Sequence, residues 1–113
     1  QDKREWLYAL SGGHPGFIQA LFKIAREQPN ASTQISNVEW YARQESVLEE
    51  FRKIWIGLLD EERAGLLEFV RGNQNPMSAE TLKLLLAKGL LRSTNDNSVK
   101  VFSPLFDYLL SKQ

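Results

Sequence analysis

Apolar residues recur at helical spacing along most of the chain, and short polar or glycine-containing stretches separate one apolar stripe from the next. Six segments have such a stripe on one face, a pattern typical of amphipathic α-helices. The stripes are Trp6, Leu7 and Leu10; Phe17, Ile18, Leu21, Phe22 and Ala25; Tyr41, Leu48, Phe51, Trp55 and Leu58; Leu66, Leu67, Phe69 and Val70; Leu82, Leu85 and Leu86; and Leu105, Phe106, Leu109 and Leu110. The sequence therefore predicts a mainly α protein.

Residues that commonly begin or end helices lie between these stripes. Gly12 and Gly13 can adopt the positive φ values that end a helix, and Pro15 suits the first position of the next one. Ser36 and Glu39 have the spacing of a capping box, so we expect one long helix from there to about residue 59.

Two short stretches near the carboxyl end favour β-strands. Leu90–Ser93 and Val99–Phe102 flank Thr94–Ser98, whose residues favour a turn, and this pattern predicts a β-hairpin. Two helices followed by a two-stranded hairpin are the order of a winged-helix module. We therefore expect a short helical segment at residues 1–36 and a winged-helix domain with one β-hairpin at residues 37–113.

Composition limits the classes of protein that the chain can belong to. Its 113 residues suit one compact domain or two very small ones, and 14 basic residues balance 14 acidic ones. No apolar run is long enough to span a membrane, so we expect no membrane partner. The absence of cysteine agrees with a cytoplasmic location. Since the chain begins without methionine or a signal peptide, we expect it to be part of a longer protein.

Nucleic acid is a candidate partner because winged helices often bind DNA. The helix before the hairpin and the hairpin itself would contact phosphates through Lys83, Lys88, Arg92 and Lys100. Residues 78–113 contain only five basic and three acidic residues, a weak excess for DNA binding. DNA binding therefore stays an alternative. A second alternative is a protein-interaction adaptor that would use the winged helix and the exposed face of the long helix, and an exposed apolar patch near Trp40 would favour it.

The most distinctive stretch is Leu10–Leu21, which contains Gly12-Gly13-His14-Pro15. It resembles the Gly-Gly-His-Pro element in the helical lid of P-loop ATPases of the STAND and AAA+ type. Trp55–Arg63, Leu82–Leu91 and Phe102–Leu109 look like successive pieces of the winged helix that follows such a lid. The resemblance implies that residues 1–36 are the lid and that Gly13, His14 and Pro15 line a bound nucleotide, with Pro15 against the base and His14 nearer the sugar or phosphates.

The sequence lacks other parts of that family. It contains no Gly-x-x-x-x-Gly-Lys-Ser/Thr phosphate loop and no apolar strand that ends in acidic residues. We therefore expect a non-catalytic regulatory region, with ATP or ADP bound in the parent protein rather than by this region alone. It would act as a conformational switch by packing against the ATPase core. One histidine and no cysteine predict no metal site, since a helix dipole explains the acidic run Asp60–Glu62.

Overall fold

A computed structural model of the chain describes residues 2–27 and 37–113. The described residues form seven α-helices and two β-strands, which are α1 (Asp2–Ser11), α2 (Pro15–Glu27), α3 (Val38–Ala42), α4 (Glu45–Ile56), α5 (Asp60–Val70), α6 (Ala79–Ala87), β1 (Leu91–Ser93), β2 (Val99–Val101) and α7 (Pro104–Ser111). The predicted mainly α fold with one β-hairpin is confirmed.

The hairpin pairs its two strands in antiparallel register, with Leu91 opposite Val101, Arg92 opposite Lys100 and Ser93 opposite Val99. The Thr94 N–H donates to the Ser98 carbonyl at 2.8 Å and closes the turn. Because side chains alternate along a strand, Leu91 is buried while Arg92 and Lys100 share the exposed face.

The long helix predicted from Ser36 to about residue 59 is wrong, because the chain breaks into α3 and α4 at Arg43 and Gln44. Asn37 caps α3 by accepting the Trp40 N–H at 3.0 Å, and Ser36 lies outside the described residues. Tyr41 and Val47 are both buried. One straight helix would place these two side chains about 120° apart around its axis. The break lets both reach the core.

One apolar core includes side chains from both predicted segments. Helix α2 packs on α4, and α1 packs on α7, so residues before and after the predicted boundary bury one another. The Trp6 and Tyr41 rings, one from each segment, lie 5.5 Å apart between centroids. The predicted boundary at residue 36 lies outside the described residues, and the division into 1–36 and 37–113 stays a prediction.

Within residues 2–27 and 37–113, none of the helices combines the length and the apolar character that a bilayer crossing requires.

Candidate functional site

The connection between α1 and α2 is a tight turn built on two glycines. Gly12 and Gly13 have φ values of +66° and +78°, in the left-handed region that glycine adopts without strain. The Gly13 N–H donates to the Ser11 hydroxyl at 3.1 Å, and Pro15 begins α2. The helix end and helix start predicted for this stretch are confirmed.

This turn is fixed against the junction between β2 and α7. The Ser103 hydroxyl donates to the Leu10 carbonyl at 2.8 Å, and both groups are buried. The Arg92 guanidinium donates to the Gly12 carbonyl at 2.5 Å. Gly12 lies so close to the Phe102 carbonyl that a Cβ at position 12 would be 2.2 Å from that oxygen. The backbone around Gly12 therefore cannot shift without disturbing the hairpin.

The His14 imidazole is held between the turn and α4. Its Nε2 lies 2.9 Å from Oε2 of Glu50, and its ring packs edge-on against Phe17 and Phe102. The Glu50 carboxylate also lies against Gly16, where an added Cβ would be 2.1 Å from Oε2. Glu50 thus orients the imidazole and places negative charge beside the amino end of α2, which the helix dipole favours.

A groove of about 480 Å³ lies between the α1–α2 turn, the end of α4 and the junction of α6 with β1. Its lining includes all three predicted nucleotide contacts and three cationic side chains, namely Gly13, His14, Pro15, Lys53, Lys88 and Arg92. Within the part of the chain that the structure describes, no carboxylate lines this groove. The structure therefore brings together the predicted turn and two of the four cations predicted for nucleic acid.

Each lysine of the groove is paired with a glutamate that is not itself part of the lining. Lys88 Nζ is 2.8 Å from Oε1 of Glu62, and Lys53 Nζ is 3.5 Å from Oε1 of Glu50. Arg92 has no carboxylate partner among the described residues; its guanidinium lies 5.9 Å from the centroid of the Phe102 ring. Each lysine is thus held by a glutamate, whereas the Arg92 guanidinium is held by the Gly12 carbonyl and lies beside the Phe102 ring.

Glu62 is fully buried, which is unusual for a carboxylate. Burial by itself raises the pKa of this carboxyl, but the hydrogen bonds from Lys88 and from the Leu59 N–H, with the positive charge of Arg63, bring the pKa below its ordinary value. Glu62 is therefore ionised at neutral pH and holds the Lys88 ammonium at the groove.

The four residues predicted to bind nucleic acid are not gathered on one face of the structure. Arg92 and Lys100 lie opposite each other on the hairpin and line a second groove of about 640 Å³. Lys83 is exposed on α6. Lys88 belongs to the groove beside the α1–α2 turn. Arg92 and Lys100 are therefore neighbours on the hairpin, Lys88 shares the other groove with Arg92, and Lys83 is not part of the lining of either groove.

The apolar patch near Trp40 and a metal site are the other two features that the sequence analysis considered. Trp40 is half-buried against Tyr41, with 5.0 Å between their ring centroids. Large exposed apolar side chains occur elsewhere, with Tyr8 62% and Ile56 77% exposed. The described residues contain no group of three or more acidic or histidine side chains arranged to hold a metal ion.

Sequence reasoning missed Glu50 and Glu62. Both occur on the polar side or acidic first turn of a helix, where a solvent-exposed charge is the ordinary interpretation. Their partners, His14 and Lys88, lie 36 and 26 residues away, so local spacing cannot identify either pair. Gly16 offers a weak signal, since a glycine inside the first turn of a helix often marks a close approach by another group.

Comparison with known proteins adds no relative: no protein-family model, curated protein or solved structure matches this chain.

Proposed function

We propose that this chain is the lid and winged-helix region of a nucleotide-regulated P-loop ATPase of the STAND or AAA+ type. It is not catalytic itself, and Gly13, His14 and Pro15 contact the ATP or ADP that the ATPase core holds. One observation carries the proposal: the glycine turn opens on a groove of about 480 Å³ that also contains three cationic side chains.

The chemistry of the groove fits a nucleotide. A nucleotide combines a flat apolar base with a chain of negatively charged phosphates. Pro15 supplies an exposed apolar ring for the base at the start of α2. Lys53, Lys88 and Arg92 supply positive charge for the phosphates, and charge-assisted hydrogen bonds are the stronger kind. His14 lies between these two parts, which fits contact with the sugar or phosphates.

The contacts that fix the turn on the hairpin support a switching role. Ser103 bonds to Leu10 and Arg92 bonds to Gly12, so a displacement of the turn carries the hairpin with it. ATP and ADP differ in phosphate charge and therefore in their contact energy with this region. A ligand shifts a conformational equilibrium only through such a difference. The partner in the proposed mechanism is the ATPase core of the same protein, and the cytoplasm is the proposed location.

The test is nucleotide affinity in the full-length protein that contains this chain. His14→Ala and Pro15→Ala should each weaken ATP and ADP binding, with His14→Ala causing about a tenfold loss if one hydrogen bond to a charged group disappears. Gln19→Ala, an exposed change on the same helix, is the matched control and should leave affinity unchanged. Unchanged affinity in both variants, or the absence of a phosphate loop upstream of this region, would refute the proposal.

Duplex DNA is a second candidate because Arg92 and Lys100 lie opposite each other on the exposed face of the hairpin. Like charges in directly opposed positions destabilise a two-stranded sheet, and phosphate contacts would relieve that repulsion. DNA binding should then weaken steeply as salt rises, and Lys100→Met should reduce the salt dependence. No detectable binding at low salt would eliminate this candidate.

A further inference from the structure

The groove beside the α1–α2 turn concentrates positive charge in a chain whose net charge is zero. Lys53, Lys88 and Arg92 line it, while the glutamates paired with the two lysines are not part of the lining. Glu62 is fully buried, and the Glu50 side chain is only 17% exposed. A ligand in the groove would therefore contact the three cations, while the paired carboxylates are largely buried.

This arrangement is costly for stability. Oε2 of the buried Glu62 has no hydrogen-bond partner among the described residues, and an unsatisfied buried polar atom is unfavourable. A buried ion pair often stabilises a protein less than apolar residues of the same volume would. The ion pair does achieve something else, because it holds the Lys88 ammonium at the groove, where 41% of the lysine side chain is exposed.

Arg92 is the third cation of the groove lining. Its guanidinium donates to the Gly12 carbonyl and lies beside the Phe102 ring, which leaves donors available to a ligand because a guanidinium carries five N–H groups. The groove volume of about 480 Å³ exceeds what a single phosphate needs. Three separated cations around such a volume suit a linear chain of phosphates.

We propose that this groove binds a polyphosphate anion on the present chain alone, through Lys53, Lys88 and Arg92, with Glu62 as the residue that positions Lys88. This deepens the proposed function, on which it rests for the phosphate contacts of these three cations, and it adds that the groove binds the anion without an ATPase core or a nucleotide base. The phosphate chain can belong to a nucleoside triphosphate or to free inorganic polyphosphate, and the experiment distinguishes the two.

Inorganic triphosphate is the probe, titrated into the chain at low ionic strength and followed by calorimetry and by NMR. We expect saturable 1:1 binding that weakens as salt rises. Lys53→Met should weaken binding about tenfold without unfolding the protein, because the Lys53 side chain is 76% exposed. The double change Glu62→Gln with Lys88→Met should also weaken binding about tenfold, and it leaves no unpaired buried charge. Lys83→Met, an exposed change on α6, should bind like the unmodified chain.

Two results would overturn the inference. The first is no saturable binding of triphosphate at low ionic strength. The second is an equal loss of affinity in Lys53→Met and Lys83→Met, which would indicate attraction to positive charge anywhere on the surface.

Competition identifies the source of the anion. ATP binding more tightly than triphosphate would support a nucleotide, and tighter triphosphate binding would support free polyphosphate; both results uphold the site. Adenosine has no phosphate, so it should displace triphosphate far less effectively than ATP does; equal displacement by adenosine and by ATP would contradict the inference.

This inference and the proposed function fail separately. If triphosphate does not bind the chain while Pro15→Ala weakens ATP binding in the full-length protein, only the inference is wrong. If triphosphate binds in the groove while Pro15→Ala and His14→Ala leave ATP binding unchanged, only the proposed function is wrong.

Discussion

Replacement of Gly12 by alanine tests how firmly the α1–α2 turn is fixed on the hairpin. Gly12 has a φ of +66°, and left-handed backbone costs an L-residue about 1–2 kcal/mol. The new Cβ would also lie 2.2 Å from the Phe102 carbonyl oxygen, a backbone atom that cannot rotate away. Forcing an extra methyl into a close-packed site costs about 1–3 kcal/mol. We therefore expect Gly12→Ala to lower the free energy of unfolding by about 2–5 kcal/mol.

Gly72 is the matched control for the backbone contribution. Its φ is +85°, and an added Cβ would meet no atom within 4 Å. Gly72→Ala should therefore lower the free energy of unfolding only by the cost of left-handed backbone, about 1–2 kcal/mol. The difference between the two variants isolates the close approach of the turn to the hairpin.

Urea unfolding followed by tryptophan fluorescence measures both variants, with the free energy taken from linear extrapolation. A larger loss in Gly12→Ala than in Gly72→Ala would agree with the packing of the turn on Phe102. Equal losses in the two variants would refute it, because they would leave only the backbone effect at both positions.

Two further outcomes follow from Glu50 and Glu62, which are paired with His14 and Lys88. Gly16→Ala should displace the Glu50 carboxylate, because an added Cβ would lie 2.1 Å from its Oε2. The NMR signals of His14, the only histidine of the chain, should then shift, since its imidazole bonds to that carboxylate. Unchanged His14 signals would contradict this contact. Glu62 has a pKa lowered below its ordinary value of 4.5, so its ionised form contributes stability above that pH, and the contribution is lost as the pH falls through the lowered pKa. In Glu62→Gln, the free energy of unfolding should therefore fall less steeply below about pH 4.5 than it does in the unmodified chain. Urea unfolding across the acid range measures this dependence. An unaltered pH profile would show that Glu62 does not contribute to the pH dependence of stability.

Local signals in the sequence predicted the helices, the glycine turn and the hairpin. The turn can be predicted at Gly12, Gly13 and Pro15 because the φ preferences of glycine and proline act locally, at the residue itself. The division of one expected helix into α3 and α4 was missed, because the break at Gln44 serves the burial of two side chains against different parts of the core. Gln44 has no residue-type preference that would predict a helix break at its position.

The candidate site was predicted only in part. The α1–α2 turn and two of the groove's cations, Lys88 and Arg92, were singled out separately, for nucleotide and for nucleic acid, and the fold places them around one groove. Lys53 was missed, since a lysine on the polar side of a helix has no local mark of a binding role. The pairs His14–Glu50 and Lys88–Glu62 depend on helix packing, so only the three-dimensional structure identifies them.

In the proposed complex, a bound purine lies beside Gly13, His14 and Pro15. Photo-crosslinking of the full-length protein with 8-azido-ATP, followed by mass spectrometry of the labelled peptides, tests this contact directly. We expect the label on the peptide containing residues 13–15, and we expect excess ATP to abolish it. Labelling that ATP abolishes but that occurs only outside the groove would show that the purine binds elsewhere.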